Sequence, residues 1–156
     1  MQWDERPGAL DKNPREKRMT KTVAAAFATA MVLGTAAHAQ TAEDAFGVWL
    51  NPENQSHTEF YKCGAGLCAK IVKATDGQKT DDKNPDAAKK TRPIVGLVIM
   101  DGAKKTGDNK WAGTLYNRAD GKSYSGTLTV KSKNAVDLSG CVAAVFCKTT
   151  TFTRVK

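Results

Sequence analysis

Beyond residue 40 the chain alternates between apolar and polar residues in short segments, each followed by residues that favour turns. Alternation with a period of two is typical of a β-strand with one face in a core and the other in solvent. Residues 51–54, Asn-Pro-Glu-Asn, separate the first two segments, and Asp120-Gly121 is a strong hairpin signal. The predicted strands span residues 47–50, 57–63, 67–73, 94–101, 110–117, 123–131, 135–138 and 146–154.

Eight short strands with mostly short sequential links predict an all-β fold, a small antiparallel up-and-down β-barrel preceded by a signal-peptide helix. An open sheet would leave edge strands unpaired. A two-sheet sandwich is the alternative, with less support because no long crossover is visible. Only residues 41–46 and 85–91 suit helical turns. Residues 74–93 form a long, highly charged link, which is typical of a lid or of a plain solvated loop.

Residues 22–37 are uncharged and rich in alanine, follow Lys17, Arg18 and Lys21, and lead into Ala37-His38-Ala39. A basic flank, a short apolar run and a small-x-small site are typical of a secretory signal peptide, whereas a membrane-spanning helix needs roughly 20 apolar residues. A buried alanine-rich helix is the alternative. We therefore expect a leader over residues 1–39, cleavage after Ala39, and a single periplasmic or secreted domain over residues 40–156 without a transmembrane segment. Translation starts at Met1 or, because residues 1–18 are unusually acidic for a leader, at Met19.

The four cysteines form two local pairs, Cys63 with Cys68 and Cys141 with Cys147. Paired cysteines of an exported chain usually form disulfides, and the Gly-Ala-Gly-Leu spacer of the first pair favours a tight hairpin. Facing residues of an antiparallel strand pair are close enough to be bridged. We therefore predict two local disulfides. A four-cysteine zinc site is the alternative, although its spacings would be wider than usual.

The composition limits the chemistry of the exported domain. Residues 40–156 keep one histidine, His57, which is better explained as a strand residue than as a catalytic one, and a histidine-rich metal site is excluded within one chain. Phosphate loops, dinucleotide fingerprints and nucleophile elbows are missing from the sequence, so we expect neither an enzyme nor a cofactor. Eighteen basic against 12 acidic residues give a net charge of +6, which favours an anionic envelope surface as partner. Acidic residues are interspersed among the basic ones, so nucleic acid is not expected.

Several stretches, taken in order, resemble a family of small exported bacterial proteins, domain of unknown function 2147. The resemblance covers nearly the whole exported domain and implies a lipocalin-like barrel, chiefly through Gly47-x-Trp49 and Arg154. The family usually has Trp where Phe152 stands and Pro where Arg118 stands, and we expect the latter change to loosen the turn before Asp120-Gly121. The matching pieces are residues 47–49, 61–63, 67–71, 82–86, 92–96, 111–117, 120–124, 140–141 and 151–155.

A closed barrel can hold a small apolar or amphipathic ligand in its mouth. The alternative is an envelope interaction or structural protein with a filled barrel and no ligand. Barrel closure should bring Arg154 onto Trp49, with Trp49 plugging one end. The candidate ligand-binding residues are Trp111, Tyr116, Tyr124 and Phe152, and the candidate lid residues are Asp82, Asn84, Asp86 and Arg92.

Overall fold

The computed structural model of the protein describes residues 39–143 and 145–155, so the predicted signal peptide and the choice between Met1 and Met19 lie outside the described residues. Two 3₁₀ turns, Ala42–Ala45 and Ala87–Lys89, fall within the ranges predicted for helical turns. No helix in the described ranges is long and apolar enough to cross a membrane. The strands are β1 (Gly47–Leu50), β2 (His57–Cys63), β3 (Gly66–Lys73), β4 (Val98–Gly107), β5 (Lys110–Asn117), β6 (Lys122–Ser132), β7 (Ala135–Val142) and β8 (Phe146–Arg154).

Each strand pairs antiparallel with its neighbours in sequence, and β1 pairs with β8 to close the barrel. The prediction of an up-and-down barrel is therefore confirmed over the sandwich. Because the strands alternate in direction, the links β1–β2, β3–β4, β5–β6 and β7–β8 share one end, which we call the open end. The other three links share the opposite, closed end. The N-terminal 3₁₀ turn lies at the closed end too, where the Ala42 amide donates to the carbonyl of Asp108 in the β4–β5 link (2.6 Å).

The barrel interior is lined by the inward-facing residues of the alternating strands. In β6, for example, Gly126, Leu128 and Val130 are buried while the intervening threonines are partly exposed. This period of two is the pattern from which the strands were predicted. The buried cluster of the barrel consists of Ala42, Ala45, Trp49, Phe60, Leu67, Ala69, Met100, Ala103, Trp111, Leu128, Val130, Val136, Leu138 and Phe152.

The fourth predicted strand, residues 94–101, is wrong in its bounds, because β4 spans Val98–Gly107. Ile94 and Leu97 are buried in a separate small cluster with Ile71, within the connection before β4. Gly96 has a φ of 91°, which suits a turn rather than a strand. We call residues 74–97, which connect β3 to β4, the long loop. The part of β4 after residue 101 is largely exposed and polar, so it lacks the apolar alternation of a predicted strand. Pairing with β5 nevertheless keeps it extended as far as Gly107.

The seventh predicted strand ends at residue 138, because Ser139 and Gly140 are residues that favour a turn. Instead β7 continues to Val142, since both its edges are paired: Ser139 lies opposite Thr127 of β6, and Gly140 lies opposite Lys148 of β8. Tertiary pairing thus overrides the local turn preference of these two residues.

Each end of the barrel carries one disulfide. Cys63–Cys68 joins β2 to β3 at the closed end, and Cys141–Cys147 joins β7 to β8 at the open end. Both predicted disulfides are confirmed. Although Asp101 lies close to Cys63 and Cys68, all four sulfurs are oxidised and cannot act as thiolate ligands, so the zinc alternative does not apply.

Candidate functional site

Two tryptophans and the N-terminal 3₁₀ turn plug the closed end. The Trp49 indole nitrogen donates to the Ala45 carbonyl (2.8 Å), and that of Trp111 donates to the Ala42 carbonyl (2.7 Å). Both rings are buried, and the ring of Phe46 lies 5.9 Å from that of Trp111. Because a buried indole N–H needs an acceptor, these two bonds fix the turn across the end of the barrel.

Arg154 joins the last strand to the first. Its guanidinium carbon lies 4.1 Å from the centre of the Trp49 ring, within the range of a cation–π contact. The same guanidinium donates to the carbonyls of Asp44 (2.6 Å), Phe46 (3.0 Å) and Lys133 (2.6 Å). A Cβ at Gly47 would lie 2.6 Å from Nη1 of Arg154 and would displace the guanidinium, and the φ of 132° at this position also favours glycine. The structure thus places Arg154 on Trp49, the arrangement expected from barrel closure.

A cavity of about 460 Å³ opens at the other end of the barrel. Its lining changes character with depth along the strands. The lining residues deeper in the barrel are mainly apolar. The links and strand ends around the mouth are mainly polar. The apolar residues of the wall include Ile71, Ile99, Leu115, Leu138 and Phe152, and the polar residues of the rim include Asn51, Glu53, Asn54, Asp76, Asn117, Arg118, Asp120, Tyr124 and Lys148.

Three of the four predicted ligand-binding residues line the cavity: Tyr116, Tyr124 and Phe152. The assignment of Trp111 is corrected, because this residue is buried in the plug at the closed end. Tyr116 is at the open-end side of β5, whereas Trp111 follows only one residue after the closed-end start of that strand. The sequence places aromatic residues on these strands but does not say at which end of the strand the barrel is empty.

Two of the three carboxylates at the rim are paired with a cation, and the third accepts a hydrogen bond from a neutral hydroxyl. Lys148 Nζ lies 2.6 Å from Glu53, and Arg118 lies 2.5 Å from Asp76. Asp120 accepts a hydrogen bond from the Tyr124 hydroxyl (2.5 Å). The charged groups of the rim are thus engaged within the protein, so the rim offers hydrogen-bonding capacity more than net charge.

The two tyrosines of the wall are held as hydrogen-bond donors. Burial, together with the hydrogen bond to Asp81, raises the pKa of Tyr116. The hydrogen bond to Asp120, together with some burial, raises the pKa of Tyr124. A raised tyrosine pKa keeps the hydroxyl protonated at neutral pH, so each donates to its carboxylate and neither adds negative charge to the cavity.

The long loop is anchored on β5 by the buried carboxylate of Asp81. That carboxylate accepts hydrogen bonds from the Tyr116 hydroxyl (2.6 Å), from Asn84 Nδ2 (2.7 Å) and from Arg92 Nε (2.9 Å). Burial alone would raise the pKa of Asp81, but these bonds and the Arg92 charge outweigh it and hold the pKa below its usual value. The anchor therefore contains an ionised carboxylate whose partners come from both the loop and the barrel.

The predicted lid residues divide between this anchor and solvent. Asn84 and Arg92 belong to the anchor, while Asp82 and Asp86 are exposed and pair with Lys83 and Lys89. None of these four lines the cavity, and of the long loop only Asp76 reaches its rim. Asn84 and Arg92 therefore hold the loop in place, Asp82 and Asp86 lie at its surface, and none of the four faces the cavity.

Arg118 is a rim residue whose importance the sequence does not reveal. It was expected to loosen the β5–β6 turn, and the structure corrects this, because the side chain is buried and bonded to Asp76 and Gln78 of the long loop. The loop backbone also packs against this turn, where a Cβ on Gly121 would meet the Lys83 carbonyl oxygen at 1.8 Å. The partners are about 40 residues apart in sequence, and no local spacing pattern could indicate their contact.

Eight antiparallel strands closed in sequence order, with one plugged end and one open end, define a lipocalin-like barrel. The chain belongs to the family described as "Uncharacterized protein conserved in bacteria (DUF2147)", whose model matches residues 47–154. Among solved structures it is similar to the protein HP1028 of Helicobacter pylori, described as belonging to the lipocalin family, with a TM-score of 0.66 and 24% identity over 72% of this chain and 83% of that one. At this identity the likeness shows the fold. No curated protein matches the chain.

Proposed function

We propose that the protein binds one small, mainly apolar ligand in the open end of its barrel, in the bacterial cell envelope. The observation that carries this proposal is the cavity of about 460 Å³, whose deeper wall is apolar and whose rim is polar. Pockets for small molecules typically measure about 300–1,000 Å³ and combine an apolar wall with a few polar groups. The cavity favours this function over the alternative of a filled barrel with a purely structural or interaction role.

The ligand we propose is uncharged. Glu53, Asp76 and Asp120 are each bonded to a neighbouring group of the protein. A charged ligand group would have to compete with these contacts and lose its own hydration, which is costly. The cavity best suits a ligand with a neutral polar head, placed at the rim, and an apolar body, placed in the barrel. The same internal pairing supports binding rather than proton transfer, and hence a role as a binding protein rather than an enzyme.

Two disulfides support export, because such bonds persist in oxidising compartments outside the cytoplasm. Together with the leader predicted from residues 1–39, they favour the periplasm or the exterior of the cell. Intact mass of the protein recovered from the envelope would test this part of the proposal. A protein that begins near Gln40 supports cleavage after Ala39, whereas one that retains residues 22–37 would refute it.

The binding proposal is tested by native mass spectrometry of the protein purified from its own envelope, with a Gly140→Leu variant alongside. Gly140 lies in the cavity wall, and a Cβ there would be 3.5 Å from Leu115 Cδ2 and 3.6 Å from Tyr124 Cβ, which is ordinary contact. The leucine should fill part of the cavity without disturbing the backbone. Thr114→Leu, at an exposed position of β5, adds a leucine elsewhere on the barrel and is the matched control.

We expect the natural protein and Thr114→Leu to retain an added mass and to bind the neutral apolar dye N-phenylnaphthylamine. Gly140→Leu should lose the added mass and bind the dye at least about tenfold more weakly, because the apolar contact area is already occupied. Equal dye binding by Gly140→Leu and the natural protein would place the ligand outside the cavity. A natural protein that carries no added mass and binds no dye would favour the structural role.

A further inference from the structure

The link between β7 and β8 exposes an apolar surface beside the cavity. Val142, Val145 and Phe146, which we call the hairpin tip, are 54%, 74% and 78% exposed. Val145 and Phe146 are the most exposed large hydrophobic side chains in the described part of the chain. A cluster of apolar side chains held in solvent is a common mark of an interaction site.

The fold holds the hairpin tip away from the barrel core. Val142 lies opposite Phe146, and Cys141 lies opposite Cys147 directly beneath them, where the two are joined by a disulfide. The Val145 amide donates to the Val142 carbonyl (3.3 Å) and closes the turn. Strand pairing and the disulfide therefore fix the tip, so its side chains cannot be buried by a simple rearrangement of the link.

The tip combines an apolar opening with a domain that is cationic as a whole. Val142 and Phe146 are also part of the cavity lining, so the tip stands at the mouth of the barrel. Lys122 of β6 and Lys148 of β8 are exposed on strands that run to the same end, and Lys148 also pairs with Glu53. Residues 40–156 carry 18 basic and 12 acidic side chains, so the exported domain as a whole is cationic.

We propose that the hairpin tip docks the protein on an anionic lipid surface, with Val145 and Phe146 inserted at the boundary between headgroups and acyl chains. A few exposed apolar side chains on a domain of net charge +6 suit such a surface, because lipid contact combines apolar burial with attraction to anionic headgroups. A stable protein interface buries about 800 Å² on each partner, which three side chains on a convex turn do not supply. The lipid surface is therefore the partner that the tip fits.

This inference goes beyond the proposed ligand-binding function, because the tip can dock whether the cavity is filled or empty. Docking would place the mouth of the barrel beside the apolar phase of the membrane. A failure of ligand binding and a failure of membrane docking can thus be told apart, since the first is measured by dye binding and added mass in solution and the second by binding to vesicles.

The first experiment uses Phe146→Trp and vesicles of phosphatidylglycerol and phosphatidylethanolamine. The new indole should shift its emission to the blue when vesicles are added and be quenched by brominated acyl chains. Thr106→Trp, at an exposed position near the closed end of β4, is the matched control and should show neither effect. Trp49 and Trp111 are buried and contribute the same background to both variants. Quenching of Thr106→Trp to the same extent would overturn the proposed orientation.

The second experiment measures flotation with the same vesicles. Val145→Ser/Phe146→Ser should reduce the bound fraction by about tenfold or more, because both inserted side chains are lost. Val95→Ser removes another exposed valine (55%), from the long loop, and should have little effect. Unchanged flotation of the double variant, or an equal loss in Val95→Ser, would refute docking through the tip. Tip-dependent self-association in sedimentation velocity, without vesicle binding, would assign the tip to a second copy of the chain instead.

Discussion

At the closed end the barrel is filled by Trp49, Trp111 and the N-terminal 3₁₀ turn, whereas at the open end the same strands surround a cavity of about 460 Å³. Strand pairing is continuous from one end to the other, so the difference arises from side chains and links. Tight packing contributes stability, while a binding cavity leaves apolar surface without protein contacts. The comparison indicates that the closed end stabilises the fold, which allows the open end to remain empty.

The polar contacts of the two ends also differ in kind. At the closed end Arg154 donates to three backbone carbonyls, which do not titrate. At the open end the contacts of the long loop depend on carboxylates, above all Asp81 and Asp76. The two ends should therefore respond differently to truncation and to acid, which gives three ways to test the comparison.

The largest effect is expected for Trp49→Ala. The side chain is fully buried and donates a hydrogen bond to Ala45, so the change should lower the free energy of unfolding by about 3–5 kcal/mol. Tyr124→Ala at the open end, where the ring is partly exposed, should cost about 1 kcal/mol or less. Denaturant unfolding of the two variants measures both values. Equal losses would contradict the idea that the closed end is the stabilising one.

Much of the barrel could be predicted from the sequence, because alternation and turn residues are local signals. The bounds of β1, β2, β5 and β8 agree with the prediction, since each is a clear alternating segment bounded by turn residues. The bounds of β4 and β7 do not, because burial of Ile94 in its own small cluster and pairing of Ser139 on both sides are tertiary effects. Local patterns cannot contain those contacts.

The site was less predictable than the fold. Phe152 could be identified as an inward-facing aromatic residue, but Trp111 also faces inward and lies in the plug. Tyr116, five positions after Trp111 in an unbroken strand, has the opposite parity and lines the cavity near the open end of β5. The anchor at Asp81 and the buried Arg118 depend on side chains about 35 to 42 residues apart in sequence. Which end is plugged follows from hydrogen bonds made by the short N-terminal turn, and a single sequence carries no signal for these.

The next effect concerns Arg154→Ala. The change removes three hydrogen bonds to carbonyls and a cation–π contact with Trp49, so we expect a loss of about 2–3 kcal/mol in the free energy of unfolding. The melting temperature should fall and the fluorescence of Trp49 should change. Lys110→Ala, another exposed cation at the closed end, is the control and should change stability by about 0.5 kcal/mol or less. If both variants melt like the natural protein, Arg154 does not hold the barrel closed.

A smaller effect than for Trp49→Ala or Arg154→Ala is expected for Asp81→Asn, which weakens the anchor of the long loop. Its partner Arg92 has a side chain that is 38% exposed, so solvent screens part of the ion pair. A loss of about 1–2 kcal/mol at neutral pH is expected, because the hydrogen bonds from Tyr116 and Asn84 are only partly kept by an amide. Asp82→Asn, the exposed neighbour, is the matched control, with an expected change of about 0.5 kcal/mol or less. Hydrogen exchange of the loop amides should rise in Asp81→Asn and not in Asp82→Asn.

The pH dependence of the stability loss in Asp81→Asn tests whether the two ends of the barrel differ in their response to acid. The pKa of Asp81 in the folded protein lies below the ordinary value of 3.8, although burial alone would raise it, because hydrogen bonds to its carboxylate outweigh burial. A depressed pKa contributes stability that is fully present above the pKa of the unfolded chain and is lost as the pH falls through the folded value. The difference between the natural protein and Asp81→Asn should therefore shrink in acid, whereas the difference for Arg154→Ala should stay nearly constant because its acceptors are carbonyls. Denaturant unfolding across the acid range measures both, and a loss for Arg154→Ala that shrinks in parallel would mean that the two ends do not differ in the way the structure indicates.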